Sequence, residues 1–494
     1  MPRKPASTPR RPREGAGEGA RVRRRFESLL SAGVAIFSEH SLERVLQQIV
    51  DSAREVVGAR YAALGVLAPD RATLSQFVTS GLSQAERERI GDLPRGRGLL
   101  GLVIREAQPI RSADIDSVGY VTGVEGLMRS TLLSEHAPIH VLGAGPSGLA
   151  AALTANRTGR RVIVHERSSE VGHRFHDDFQ GLENWTTDGD VIDELAALGI
   201  EPTFDHTPIR ETVVFDARRV HTYRSPQPFF YLVRRGAGEG TLDSSLKAQA
   251  LARGIEIRFG EARRPLPERG VVAEGPRGTD AIAVGYVFAT KAADGAFGAM
   301  SDALAPKGYA YLLMTRGRGT VASCMFDDFR NKSAYLDRTV AFFREQVGFD
   351  MQNPQRFGGA GSVRVPQTAR RGDLLFVGEA AGFQDGLWGF GMRYAMLSGS
   401  LAARSLVSGR LEDYDRLWRE RLGGLLRTGI VNRFIYGKLG ARGYRGLAWL
   451  LDRASDPRAL LGRLYRPSLL TRLLYPIARQ SITASLRANA ARVR

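Results

Sequence analysis

Ile139-His140-Val141-Leu142-Gly143-Ala144-Gly145-Pro146-Ser147-Gly148-Leu149, answered downstream by Val162-Ile163-Val164-His165-Glu166, decides how the rest of the chain is read. Ile139 to Leu142 is a short apolar run bounded by glycine. Pro146 to Thr158 carries apolar residues at helical spacing until Gly159 stops it. The expected order is strand, tight turn, helix, strand. Gly143 permits the sharp turn, Gly145 lets backbone approach a pyrophosphate, and Gly148 lets the helix pack closely on the sheet. Pro146 and Ser147 open the helix whose free N–H groups would hold the phosphate. Glu166 follows Gly143 by 23 residues, at the end of the second strand, where a carboxylate can accept hydrogen bonds from a ribose. G-x-G-x-x-G alone is a weak signal, but strand, helix, second strand and acidic terminus together describe a dinucleotide-binding unit. The competing reading is a Gly-rich turn without a ligand.

A chain of 494 residues exceeds one ordinary core, and 43% apolar with 25% charged residues is a globular composition. The net charge of +18 is unevenly spread. Residues 1–25 hold nine Arg/Lys against two Glu, residues 438–494 hold twelve basic against two acidic residues, and the body between is close to neutral. That distribution speaks against a nucleic-acid-binding body, and no specific nucleic-acid partner is expected. Basic tails of this kind suit an anionic membrane surface. Met1 to Arg25 lacks an apolar secretory core, and no run of 18 apolar residues occurs to span a bilayer. The single cysteine, Cys324, fits a reducing compartment and reads as a buried strand residue. The expected location is cytoplasmic, peripheral to the membrane.

Residues 1–22 read as a disordered basic arm. Ser41 then caps a helix with apolar positions from Leu42 to Val56, Gly58 ends it, and Tyr61 to Leu67 reads as a strand. With Leu93 to Ile104 and Pro109 to Ile115, this stretch resembles the GAF domains of bacterial sensor proteins, although the final strands are missing. Residues 23–134 are therefore expected to form a partial GAF-like module. It serves as a docking module, serves as a small-molecule sensor, or results from fused reading frames.

Farther on, Arg371 to Gly382 is an apolar strand that delivers Glu379 between Gly378 and Ala380 and Gly382, and it leads into Phe383 to Met396 with Trp388, Gly389, Phe390 and Gly391. Together with the first motif, this resembles flavoproteins of the geranylgeranyl reductase type, relatives of aromatic hydroxylases and lycopene cyclases. The resemblance implies FAD. Glu379, in place of the usual Asp, would bond the ribityl chain, and Gly389 to Gly391 would meet the flavin ring. It places Asp294, in Ala292-Ala293-Asp294-Gly295, near the pyrophosphate. Arg235, beside Arg234 and followed by Asp243, would reach phosphate or ribose, and Arg167 and Arg174 would face the cofactor. Tyr309 and Tyr311, in Pro306 to Leu313, would line the substrate cavity with Trp388; alternating aromatics of this kind also suit a sheet core. His173 and His176 lack a third ligand cluster, so no metal is expected.

The implied architecture is α/β. It comprises a Rossmann-like FAD-binding domain over 137–410 with an interleaved α+β substrate domain (about 205–270 and 300–365), the partial GAF-like α/β module, and a basic helical region over 411–494. Within that last region, Arg445 to Leu451 and Leu469 to Tyr475 mix Leu, Trp and Tyr with Arg, as helices in a membrane interface do. The plainer alternative packs their apolar faces on the body. The implied activity is reduction of double bonds in a polyprenyl or other apolar lipid substrate. The alternatives are a monooxygenase and a flavin-bearing sensor. Gly358-Gly359-Ala360-Gly361 lacks the strand and helix of a second nucleotide motif, so the reductant would be transiently docked NAD(P)H or an electron-donor protein.

Overall fold

The computed structural model describes residues 42–57, 59, 62–67, 74–81, 138–216, 218–262, 269–276 and 278–493. The chain divides into two compact units, Met1–Glu135 and His136–Arg494. In the first, helix α1 (Leu42–Val57) packs on an antiparallel hairpin of β1 (Ala62–Leu67) and β2 (Leu74–Ser80). Leu46 and Val50 are its buried apolar side chains, and Asp51 accepts hydrogen bonds from Ser80 and Gln47. The arm 1–22 and the GAF-like stretch 93–115 lie outside the described residues.

The second unit opens with β3 (Ile139–Leu142), α2 (Pro146–Asn156) and β4 (Val162–Glu166). Then come β5 (Asp178–Glu183), α3 (Val191–Ala197), β6 (His206–Ile209), β7 (Glu211–Phe215), β8 (Val220–Arg224) and β9 (Phe230–Arg235). After α4 (Leu242–Ala252) the chain forms β10 (Glu256–Phe259), β11 (Arg269–Val272), β12 (Ala281–Ala289), β13 (Gly295–Ala299), β14 (Tyr309–Thr315) and β15 (Arg318–Met325). Helix α5 (Lys332–Val347), β16 (Gln352–Gly361), β17 (Arg370–Arg371), β18 (Asp373–Phe376) and the short α6 (Gly378–Ala381) complete the sheets. The rest is helical: α7 (Met392–Val407), α8 (Asp413–Trp418), α9 (Gly424–Leu439), α10 (Ala441–Asp452), α11 (Pro457–Leu464) and α12 (Leu469–Val493).

One sheet has the order β10-β4-β3-β11-β18-β17, parallel except for β17. Its strands are short and apolar, as a sheet covered on both faces requires. Helix α2 is almost wholly buried against it, since Leu149 to Leu153 leave at most 1% of their surface exposed. Gly399 of α7 lets the two helices touch: a side chain there would meet Ser147 O at 2.0 Å.

A seven-stranded sheet, β16-β12-β15-β14-β13-β7-β8, and a small sheet, β5-β9-β6, form the inserted body. The boundaries differ from the expected 205–270 and 300–365. Strands β10 and β11 belong to the parallel sheet, whereas β12 and β13 belong to the insert, where β12 pairs antiparallel with β15 and β16. Gly358 to Gly361 form the end of β16. A short buried strand carries the same apolar signature in either sheet, so composition alone does not assign it.

Candidate cofactor and substrate cleft

Where β3, β4 and β11 end, the chain opens a cleft of about 650 Å³. At its floor, Gly143 has φ +102°, and a side chain there would strike Ala273 O at 2.4 Å, so only glycine makes the turn. Gly148 packs against that turn: its missing Cβ would lie 1.9 Å from Gly143 O. Gly145 lines the cleft with open space beside it. Leu149 N–H returns to Gly145 O at 2.9 Å, which leaves the earlier N–H groups of α2 at the positive helix end, beside Pro146 and Ser147 in the wall. A negatively charged phosphate fits that end.

Glu166 and Arg167 line the same wall. The Glu166 carboxylate accepts from Ala144 N–H at 2.8 Å and from Ser168 N–H at 2.9 Å, so both oxygens are fixed in orientation. Arg174 and Glu379 meet across the cleft at 2.7 Å. Arg235, rather than Arg234, reaches the cleft. Its guanidinium grips buried Asp243 through two bonds of 2.8 and 2.9 Å and stacks 4.1 Å from the Phe175 ring, while Arg234 turns to Asp205 at 2.8 Å. Its first task is thus to tie β9 to α4.

Three expected contacts fall elsewhere. Asp294 stands outside the wall, in the β12–β13 turn, where it accepts from the Thr315 hydroxyl at 2.8 Å and Arg316 N–H at 3.0 Å. The acidic-glycine pair in the wall beside Gly143 is Glu274-Gly275, just after β11, whose Ala273 N–H bonds Leu142 O at 2.7 Å. The signal was present in Val271-Val272-Ala273-Glu274-Gly275, but the strand before it has only four residues. Gly378 and Gly382 also stay outside the wall. They shape the backbone around α6, with Gly378 N–H donating to Ser398 Oγ at 3.0 Å and Gly382 packed on Arg364.

The cleft continues past Gly389, Phe390 and Gly391 into an aromatic chamber. Tyr309, Tyr311 and Leu313 occupy alternate positions of β14 and so share one face. Tyr309 donates its hydroxyl to Trp388 O at 2.5 Å, and the two rings lie 5.5 Å apart at a steep angle. Burial pushes both tyrosine hydroxyls well above their ordinary range, so both keep their protons. Cys324 also lines this chamber, its thiol pushed up to about 11 by burial.

The loop carrying Trp388 to Gly391 is braced from a distance. Asp385, 3% exposed, accepts from Trp388 N–H at 2.6 Å and from the Tyr465 hydroxyl at 3.0 Å. Arg433 of α9 donates to the carbonyls of Lys307, Gly386 and Leu387, with its guanidinium 3.7 Å over the Phe326 ring. The region after residue 411 is therefore part of the site. Tyr444, Leu447 and Leu451 of α10 and Pro457 and Leu461 of α11 wall the far end of the chamber. These contacts join residues dozens to more than a hundred apart, which no local spacing reveals.

The glycine cradle, the anion-favouring helix end and the carboxylates and guanidinium groups of the first wall fit a dinucleotide. The adjoining aromatic chamber fits a second, apolar molecule. The α/β fold resembles that of FAD-binding flavoproteins. Among them it resembles the geranylgeranyl reductase-like architecture. Over 357 residues, 59% of this chain and 83% of the relative, the sequence is 25% identical to digeranylgeranylglycerophospholipid reductase of Haloferax volcanii. A geranylgeranyl bacteriochlorophyll reductase-like protein of Thermoplasma acidophilum superposes with a TM-score of 0.53 at 16% identity, covering 71% of this chain and 99% of that one. A flavin-dependent brominase superposes at 0.51 and 13% identity, over 72% of this chain and all of that one. No protein-family profile matches the chain.

Proposed function

We propose that this chain is an FAD-dependent oxidoreductase that saturates carbon–carbon double bonds of a polyprenyl or other lipid-like substrate. The observation that carries the reading is continuity: one cleft runs from the dinucleotide cradle into an apolar, aromatic chamber that ends on α10 and α11. The relative named for reduction of a polyprenyl lipid supports the same substrate class. Gly145, Ser147, Glu166, Arg174, Glu274 and Glu379 would hold the dinucleotide, and Gly389 to Gly391 would receive the ring. FAD, when bound, supplies hydride transfer. The protein supplies orientation and exclusion of water. Tyr309 fixes Trp388 against the chamber, and Tyr311, two residues along the same face, holds a proton on its hydroxyl within an apolar wall. The reductant is transiently docked NAD(P)H or an electron carrier.

The test is anaerobic. Purified holoprotein is reduced chemically and mixed with a prenyl-lipid extract, and the flavin absorbance and lipid masses are followed together. The reading requires reoxidation without oxygen and a lipid heavier by two hydrogens. A flavin that stays reduced until air enters, with a product that gains oxygen, overturns it in favour of oxygenation.

A further inference from the structure

Helix α10 is apolar on two sides. Tyr444, Ala448 and Leu451 are buried toward the body, whereas Trp449 and Leu450, more than a quarter of a turn from each of them in helical phase, are 54% and 43% exposed. Helix α12 repeats the arrangement. Leu474, Tyr475 and Ala478 pack with Ile430 and Val431 of α9, while Leu469, Leu470, Leu473 and Ile477 form an outward stripe, 57–73% exposed. Among the described residues, most of the exposed large apolar side chains fall between Leu439 and Ile477. Scattered exposed leucines are ordinary, but a concentration in one stretch marks a contact surface.

The charge of this stretch of sequence identifies the occupant. Residues 438–494 contain twelve basic and two acidic side chains. Both carboxylates are engaged with the body: Asp452 holds His221 at 3.0 Å, and Asp456 accepts from Ser225 at 2.9 Å while capping α11. Neither offsets the outward arginines. Arg453 lies 4.1 Å over the Trp449 ring, which places a cation beside an amphipathic aromatic at the surface. A polyanion such as nucleic acid would complement the charge but give the leucines nothing to enter. An anionic lipid leaflet complements both.

We propose that the outer faces of α10 and α12 dock on an anionic membrane leaflet. Helix α10 then has one face in the lipid interface and the other on the substrate chamber, so a lipid passes between them around a single helix. The docking stands on surface chemistry alone and would hold for another apolar substrate; only the lipid transfer rests on the reductase reading.

The full-length holoprotein is floated with phosphatidylcholine vesicles, with and without phosphatidylglycerol, at low and high salt. Binding is expected only with the anionic lipid and is expected to weaken in salt, with a blue shift of fluorescence that Trp449→Phe removes. The double substitution Leu470→Glu and Leu473→Glu is expected to lower partitioning by about tenfold or more while leaving flavin content unchanged. Should that variant lose flavin through misfolding, Arg472→Gln with Arg479→Gln is expected to reduce partitioning and its salt dependence instead. Equal flotation with neutral and anionic vesicles, or none, overturns the proposal. So does a concentration-dependent dimer in sedimentation that Leu473→Glu abolishes, which would assign the face to a second copy of the chain. Because flotation requires no turnover, its result stands apart from the anaerobic reduction assay.

Discussion

Asp385 allows a stability measurement to report on the loop that would meet the flavin. Burial pushes its carboxyl from 3.8 up to about 6, against the opposing effect of the bonds it accepts from Trp388, Leu387 and Tyr465. The folded state therefore binds this proton more tightly than the unfolded chain does. Stability from this group is full below the ordinary value and is lost as pH rises, up to about the folded value. At about 1.4 kcal/mol per tenfold change, the whole loss is about 3 kcal/mol, of which about 1.3 kcal/mol falls between pH 5 and pH 7. Asp385→Asn keeps an acceptor for Trp388 N–H and offers an amide donor to the Tyr465 oxygen, but it has no proton to lose. Urea unfolding of both proteins at the two pH values isolates the effect, because other titrations cancel in the difference. Asp385→Asn should gain about 1.3 kcal/mol on the wild type between pH 5 and pH 7. A difference that stays flat within about 0.5 kcal/mol would show that the carboxyl is solvated and the loop open, and would refute the reasoning.

Other perturbations follow from the same contacts. Gly148→Ala places a methyl group 1.9 Å from Gly143 O; it is expected to cost about 3 kcal/mol and to abolish flavin retention, read from the visible-to-ultraviolet absorbance ratio. Arg433→Met leaves the carbonyls of Lys307, Gly386 and Leu387 without their donor. A loss of about 3 kcal/mol or more in denaturant unfolding is expected, together with faster flavin release; unchanged release would separate the brace from the loop. Leu461→Trp fills the far end of the chamber and should reduce kcat/KM for long-chain prenyl substrates by about tenfold while sparing short ones. Equal loss for both lengths would place the substrate elsewhere in the cleft.

Much of the cradle was legible because its constraints are local and steric. Gly143, Gly145 and Gly148 act within one turn, Glu166 ends the next strand, and Gly389 to Gly391 follow an apolar strand that ends beside a short helix. Tyr309 and Tyr311 could be placed on one face by the period of two, although only the fold shows that this face borders a cavity rather than a closed core. The errors concern pairing. The family resemblance put Asp294 near the pyrophosphate, yet β12 pairs with β15 and β16 in the insert, and the pair that lines the cradle is Glu274-Gly275. Burial of a strand leaves no mark of which sheet buries it. The role of Arg433 and Tyr465 was equally hidden, since each reaches a loop more than forty residues earlier in the chain.

That reach has a consequence for how the protein is made. The parallel sheet, α2 and the glycine cradle are complete once about residue 410 has left the ribosome, but the loop at 384–391 still lacks its anchors. Arg433 arrives next, and Tyr465 some thirty residues after it. Bracing of that loop therefore waits until Tyr465 has been made. A nascent chain stalled before Arg433 would carry the glycine cradle while the loop at 384–391 still lacked the donor for its Gly386 and Leu387 carbonyls.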